Sequence, residues 1–236
     1  MTSGGLETPA RVLAIGAHPD DVEFGCGATL AKWARAGTRV ELAVLTDGSK
    51  GTWDATTDLA ALVARRRVEQ HAAARALGAS EVHFLDAIDG ELDADAVMRE
   101  RVCELIRLRR PDIVLGHDPW KQYRLHPDHG RAGQLVVEGI VAARDPLFFP
   151  GRGSPHRPKH LLLFEAQLVD HIEPVDSDAV TRKVAALLCH RSQWLSTMGI
   201  DAAGLDADAQ ERSFEHRVRS EIVDAGGEAF KLLSEL

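Results

Sequence analysis

Short apolar runs rich in β-formers alternate along this chain with longer stretches of helix composition. Arg11–Ala17 reads as a buried strand, and Gly27–Ala36 as a helix stopped by Gly37. Arg39–Leu45 is a second strand, followed by a polar loop over Asp47–Thr57. Leu59–Leu77 reads as a long helix with Gly78 at its C-terminal cap. Val82–Leu85 is a third strand, Asp93–Arg109 a charged amphipathic helix ending before Pro111, and Ile113–Gly116 a fourth strand. A helix then runs from Gly130 to about Ala143. The segment Pro146–Pro158, with four prolines and two glycines, is a loop. Lys159–Ala166 is a fifth strand, and Asp178–Met198 one helix. The tail beyond Gly199 is polar and partly helical.

Strand and helix alternating at this spacing predict βαβ units and a parallel sheet. The strands are apolar nearly throughout, as in a sheet covered on both faces. The expected organisation is a disordered lead over residues 1–10 and a single α/β domain over 11–236.

Composition narrows the partners. The 236 residues carry a net charge of −8 without an extended Lys/Arg run, which argues against nucleic acid and anionic membranes. No apolar run reaches the roughly 18 residues of a membrane span, and the first ten residues lack a secretory pattern. Cys26, Cys103 and Cys189 form no metal or disulfide spacing, so a cytoplasmic location is expected. Nothing in the composition fixes the oligomeric state, and a homo-oligomer stays open.

The chemistry concentrates in two places. Ala17-His18-Pro19-Asp20-Asp21 follows the first strand directly, where open parallel sheets place their ligands. Pro19 stiffens the turn, and His and Asp are both zinc ligands. His126-Pro127-Asp128-His129 repeats this logic after the fourth strand, with two histidines three apart. Either motif alone would also suit a capped helix start; two on one sheet edge are hard to explain by packing. Three protein ligands and one open position make the catalytic zinc pattern, and the residue types leave open which candidates bind. His117-Asp118 also follows a strand end. Trp53, Trp120 and Tyr123 fall on loops at the same edge, where aromatic faces stack on sugars. His71, His83, His160, His171, His190 and His216 read as surface or packing histidines.

With Glu23 added to the first motif, these residues resemble the PIG-L/LmbE-like N-acetyl-sugar deacetylases. The resemblance extends over Thr46-x-Gly48, Arg66-x-x-Glu69 before Leu77-Gly78, Ser154-Pro155-His156, Ser192-Gln193 and Glu228-Ala229-Phe230. It implies a Rossmann-like three-layer α/β/α sandwich with a mostly parallel sheet. It implies one Zn²⁺ per chain, held by His18, Asp21 and His129. It makes Asp20 the general base, a protonated His126 the group that polarises the acyl oxygen, and Asp128 the acid that tunes His126. Arg66 takes a role in substrate binding or structure; from their loop positions, independently of the resemblance, Trp53 and Tyr123 are the expected substrate contacts. Ser49 and Lys50 depart from the family pattern, standing where many members carry a glutamate that contacts the sugar.

The expected reaction is removal of an acetyl group from an N-acetylated amino sugar or glycoconjugate, a small-molecule partner. The alternative is a metal-dependent amidase acting on a non-sugar acylated intermediate. A nucleotide-binding module is disfavoured, because the turn after the first strand carries carboxylates in place of a glycine-rich phosphate loop. A catalytically dead binding protein would have lost a ligand or the base, and none is missing.

Overall fold

The computed structural model describes residues 4–236. Its strands are β1 (Arg11–Gly16), β2 (Arg39–Thr46), β3 (Glu81–Ala87), β4 (Ile113–His117), β5 (His160–Phe164), β6 (His171–Glu173) and β7 (Glu228–Ser234). They form one 7-stranded sheet in the order β3-β2-β1-β4-β5-β7-β6. The first five are parallel, and β7 runs antiparallel between β5 and β6. The helices are α1 (Asp21–Arg35), α2 (Leu59–Leu77), α3 (Ala96–Arg109), α4 (Pro127–Arg144), α5 (Ser177–Leu188) and α6 (Ala207–Ala225).

Side-chain alternation along each strand divides the core in two. Val12 and Ala14 of β1 pack with Trp33 of α1, Leu77 of α2, Leu187 of α5 and Phe214 of α6. Leu13 and Ile15 point to the opposite face, against Val102 and Ile106 of α3 and Leu135 and Ile140 of α4. The result is the expected three-layer α/β/α sandwich. Successive strands leave β1 in opposite directions, to β2 on one side and β4 on the other. That switch point opens a crevice at the strands' carboxyl ends.

Several expectations need correction. Helix α1 begins at Asp21, although a second segment does start at Gly27: Cys26 has non-helical angles (φ −151°, ψ 18°) and breaks the helix. The N–H groups of Ala28 and Thr29 freed by this break donate to the Glu228 carboxylate at 3.1 and 2.7 Å. Helix α4 starts at Pro127, whose missing N–H is harmless in a first turn. The single helix expected over Asp178–Met198 stops at Leu188, and is followed by a 3₁₀ turn (Arg191–Gln193) and a π-helical turn (Trp194–Met198). Strands β6 and β7 are additional. The disordered lead is corrected for the residues described. Leu6 N–H donates to Glu173, Thr38 Oγ1 to the Pro9 carbonyl, and Arg39 N–H to the Ala10 carbonyl. Residues 1–3 of that lead lie outside the described residues. Among the described residues, no helix is long and apolar enough to cross a membrane.

Candidate active site

Both motifs arrive at the switch point. β1 delivers His18, Asp20 and Asp21, and α4, packed against the end of β4, delivers His126, Asp128 and His129. The close approach needs a glycine: a Cβ on Gly133 would lie 2.5 Å from the His117 carbonyl oxygen.

Asp21, the first residue of α1, joins the two motifs. One carboxylate oxygen lies 3.3 Å from His18 Nδ1 and the other 3.3 Å from His129 Nε2. Overlapping donor sets converge here, with ligand atoms within 4.8 Å of one another: His18 with His126 and His129; Asp21 with His117 and His129; and His18 with Asp89, His126 and Asp128. Nitrogen and carboxylate donors in this arrangement suit a divalent transition metal. The charge balance fits as well. Burial pushes the His18 imidazole down, but Asp128, Asp21 and Asp89 outweigh it and raise its pKa to about 12. The carboxylates thus create a demand for positive charge that a metal ion would meet.

Asp20 is buried, and its burial pushes the carboxyl pKa up to about 6 against the opposing pull of Arg66 and His190. Asp21 is only partly buried, and although desolvation pushes its pKa up, the His117 and His129 imidazoles hold it well below the carboxylate range. Two adjacent aspartates therefore differ in proton affinity, one suited to binding a cation and the other to carrying a proton.

His126 is 44% exposed at the mouth of the site, with Nε2 4.0 Å from Asp89 Oδ1. Burial, then His18 and His129, push its pKa below the ordinary histidine value, which disfavours the expected imidazolium in the metal-free protein. Asp128 is wholly buried. It lies 3.2 Å from His18 Nε2 and accepts N–H bonds from Gly90 and Leu92 at 2.7 and 3.3 Å, and its charge also acts on the nearby His126 ring, raising that pKa against the other influences.

A cleft of about 510 Å³ opens over these groups, lined by His18, Asp20, Asp21, His126 and His129 together with Trp53 and Arg66. Trp53 is 86% exposed at its rim. Arg66 is buried, and its guanidinium is committed to the Pro19 and Gly48 carbonyls at 2.6 and 2.8 Å, with Asp20 Oδ2 at 3.5 Å. Gly48, at φ 67°, leaves room for it, since a Cβ there would lie 2.8 Å from Arg66 Nη1. Tyr123, 95% exposed, does not line the cleft. Lys50 does, and its ammonium pairs with Glu91 at 2.9 Å.

His117, read as a cleft residue or a plain loop, is buried behind the site. Its Nε2 lies 3.1 Å from Asp21 Oδ2 and its Nδ1 3.2 Å from Glu165, and its ring stacks on His129. Asp89 and Glu165 escaped notice, although each follows the carboxyl end of a parallel strand, the same rule that found His18. Gln193, Ser196 and Thr197 also line the cleft. Gln193 comes from the 3₁₀ turn and Ser196 and Thr197 from the π-helical turn, which no local pattern announces.

Comparisons with known proteins point to one family. Residues 13–140 match the family described as PIG-L, GlcNAc-PI de-N-acetylase. The chain is 35% identical over 188 residues to a diacetylchitobiose deacetylase of Thermococcus kodakarensis, covering 78% of this chain and 70% of that one. It is 32% identical over 169 residues to a 1D-myo-inositol 2-acetamido-2-deoxy-alpha-D-glucopyranoside deacetylase of Kineococcus radiotolerans, covering 58% of this chain and 46% of the relative. The solved N,N′-diacetylchitobiose deacetylase of Pyrococcus horikoshii superposes with a TM-score of 0.83 at 28% identity, over 96% of this chain and 84% of that one. On the match over more than half its length and on these likenesses, the chain belongs to the PIG-L, GlcNAc-PI de-N-acetylase, family.

Proposed function

We propose that this protein is a zinc-dependent deacetylase of an N-acetylated amino sugar, with His18, Asp21 and His129 as metal ligands. The observation that carries this reading is the buried Asp20 of raised pKa, set beside the His/Asp donor cluster on the floor of an open cleft. The deacetylase names of the relatives support the substrate class.

The metal would supply Lewis acidity, lowering the pKa of water to about 7 and polarising the amide carbonyl. Asp20 accepts the proton of the attacking water. The His126 ring donates an N–H to the oxygen on which negative charge develops, the role of an oxyanion-hole donor. Asp20 then returns its proton to the departing nitrogen. Water and amide become acetate and a free amine. Trp53 offers its exposed face to the sugar ring, and Arg66 holds the turn that carries Asp20.

Asp20→Ala and His129→Ala test the role assignment through metal content and acetate release from N-acetylglucosamine and N,N′-diacetylchitobiose. Asp20→Ala is expected to keep metal and lose most activity, and His129→Ala to lose metal. An Asp20→Ala protein that binds metal and retains full activity overturns the assignment. Turnover of only non-sugar acetamides would move the substrate to the acylated-intermediate class.

A further inference from the structure

Asp20 adopts φ 107° and ψ −26°, a left-handed conformation that non-glycine residues enter at a cost of about 1–3 kcal/mol and hold only when the surroundings impose it. The constraint comes from α2. Arg66 fixes the Pro19 carbonyl, and one helical turn later Gln70 reaches the same peptide segment. Gln70 Oε1 accepts the Asp20 N–H at 3.1 Å, while Gln70 Nε2 donates to Glu23 Oε1 at 2.6 Å. The two bonds fix the carboxamide's orientation, since only its oxygen can accept and only its nitrogen can donate.

Behind Glu23 lies His190, with Nε2 3.7 Å from Glu23 Oε2 and no hydrogen-bond partner on either ring nitrogen. Gln70, Glu23 and His190 are all buried, and none lines the cleft. Burying an amide, a carboxylate and an imidazole is expensive, and apolar residues would fill the volume at lower cost. The row ends on the backbone of one residue, Asp20.

We propose that Gln70, backed by Glu23 and His190, is a positioning residue that holds Asp20 in its left-handed conformation and so aims its carboxylate at the reacting water. The inference rests on the reading of Asp20 as the base. Glu23 closes the row from α1, one turn beyond Asp20, so the base is clasped between two helices.

The test is Q70M, which approximates the side chain's length and removes both hydrogen bonds. Loss of a supporting partner of this kind typically costs ~10–100-fold in activity. The expected result is a fall of about that size in kcat for N,N′-diacetylchitobiose, with KM and metal content unchanged. Q70E alone sets two carboxylates together and is also impaired. The exchange E23Q/Q70E keeps both hydrogen bonds, with amide and carboxylate swapped, and recovers activity. In an Asp20→Ala background, Q70M lowers activity no further. Full kcat in Q70M, an equal loss in the Asp20→Ala background, or a Q70M crystal structure with Asp20 unmoved at positive φ overturns the inference. Full activity of Asp20→Ala alone overturns the catalytic reading instead. The crystal structure still decides the positioning question in that case.

Discussion

Removing the Glu228 carboxylate tests how the fold holds the helix that carries Asp21. Glu228 enters from β7 and accepts the N–H groups of Ala28 and Thr29 at the break in α1. It also pairs at 2.6 Å with Lys183, whose side chain is only 7% exposed. Glu228→Ala leaves that ammonium without its charge partner, although Lys183 still donates to the Phe24 carbonyl. Breaking a buried pair from one side costs ~3–5 kcal/mol, and lost cap bonds cost about 1 kcal/mol. A total of about 4–6 kcal/mol lowers the melting temperature by roughly 8–24 °C in a protein of this size. Thermal melts followed by circular dichroism, with urea titration for the free energy, read the effect. Glu228→Ala/Lys183→Met removes the orphaned charge and recovers about half of the loss. A Glu228→Ala shift below about 1 kcal/mol, or a double variant less stable than the single one, would refute the assignment of this pair as the clamp of α1.

Further outcomes are expected at the site. His117→Ala frees Asp21 and weakens metal binding by ~10–100-fold in a competition titration; unchanged affinity contradicts its orienting role. Asp20 works as a base only when deprotonated, and burial raises its pKa to about 6, so kcat/KM falls as pH drops through about 6 or, with a cation bound, somewhat lower. An acid limb centred near or above pH 8 contradicts this. In the metal-free protein His18 is protonated, its pKa raised from 6.5 to about 12, so its contribution to stability is full below 6.5 and fades as pH rises towards 12. Metal must displace that proton. Calorimetry near neutral pH in buffers of different ionisation enthalpy therefore shows about one proton released per ion, and affinity rises with pH. Binding with no proton release contradicts the His18 assignment. His126→Ala keeps metal and lowers kcat by ~10²–10³-fold; normal turnover removes it from the acyl-oxygen role.

The central strands were legible because their apolar runs are continuous and their ends carry Gly, Pro and Asp. The two His-Pro-Asp motifs were legible because the first follows β1 directly and the second repeats it on the carboxyl side of β4, nine residues beyond His117. Other features depend on contacts between distant segments. β6 has three residues, too few to show a period, and β7 has value only beside β5. The break at Cys26 needs Glu228, 200 residues away from Ala28, to satisfy its free N–H groups. His190 looks like any packing histidine until α5 ends and brings it behind Glu23. Asp128 acts on its near neighbour His126 through charge, but its hydrogen bond to His18, 110 residues away, shows only in the fold. Local spacing identified the chemical groups, and tertiary packing decided which of them touch.

The central claim is that the His18–Asp21–His129 cluster holds a metal with which Asp20 removes an acetyl group. The most direct measurement is metal analysis of the purified protein, combined with acetate release across N-acetyl sugars before and after chelation. The account predicts about one zinc per chain, acetate from at least one sugar, activity abolished by chelation and restored by metal. Absence of bound metal together with no acetate from any sugar, or full activity after complete metal removal, would contradict it.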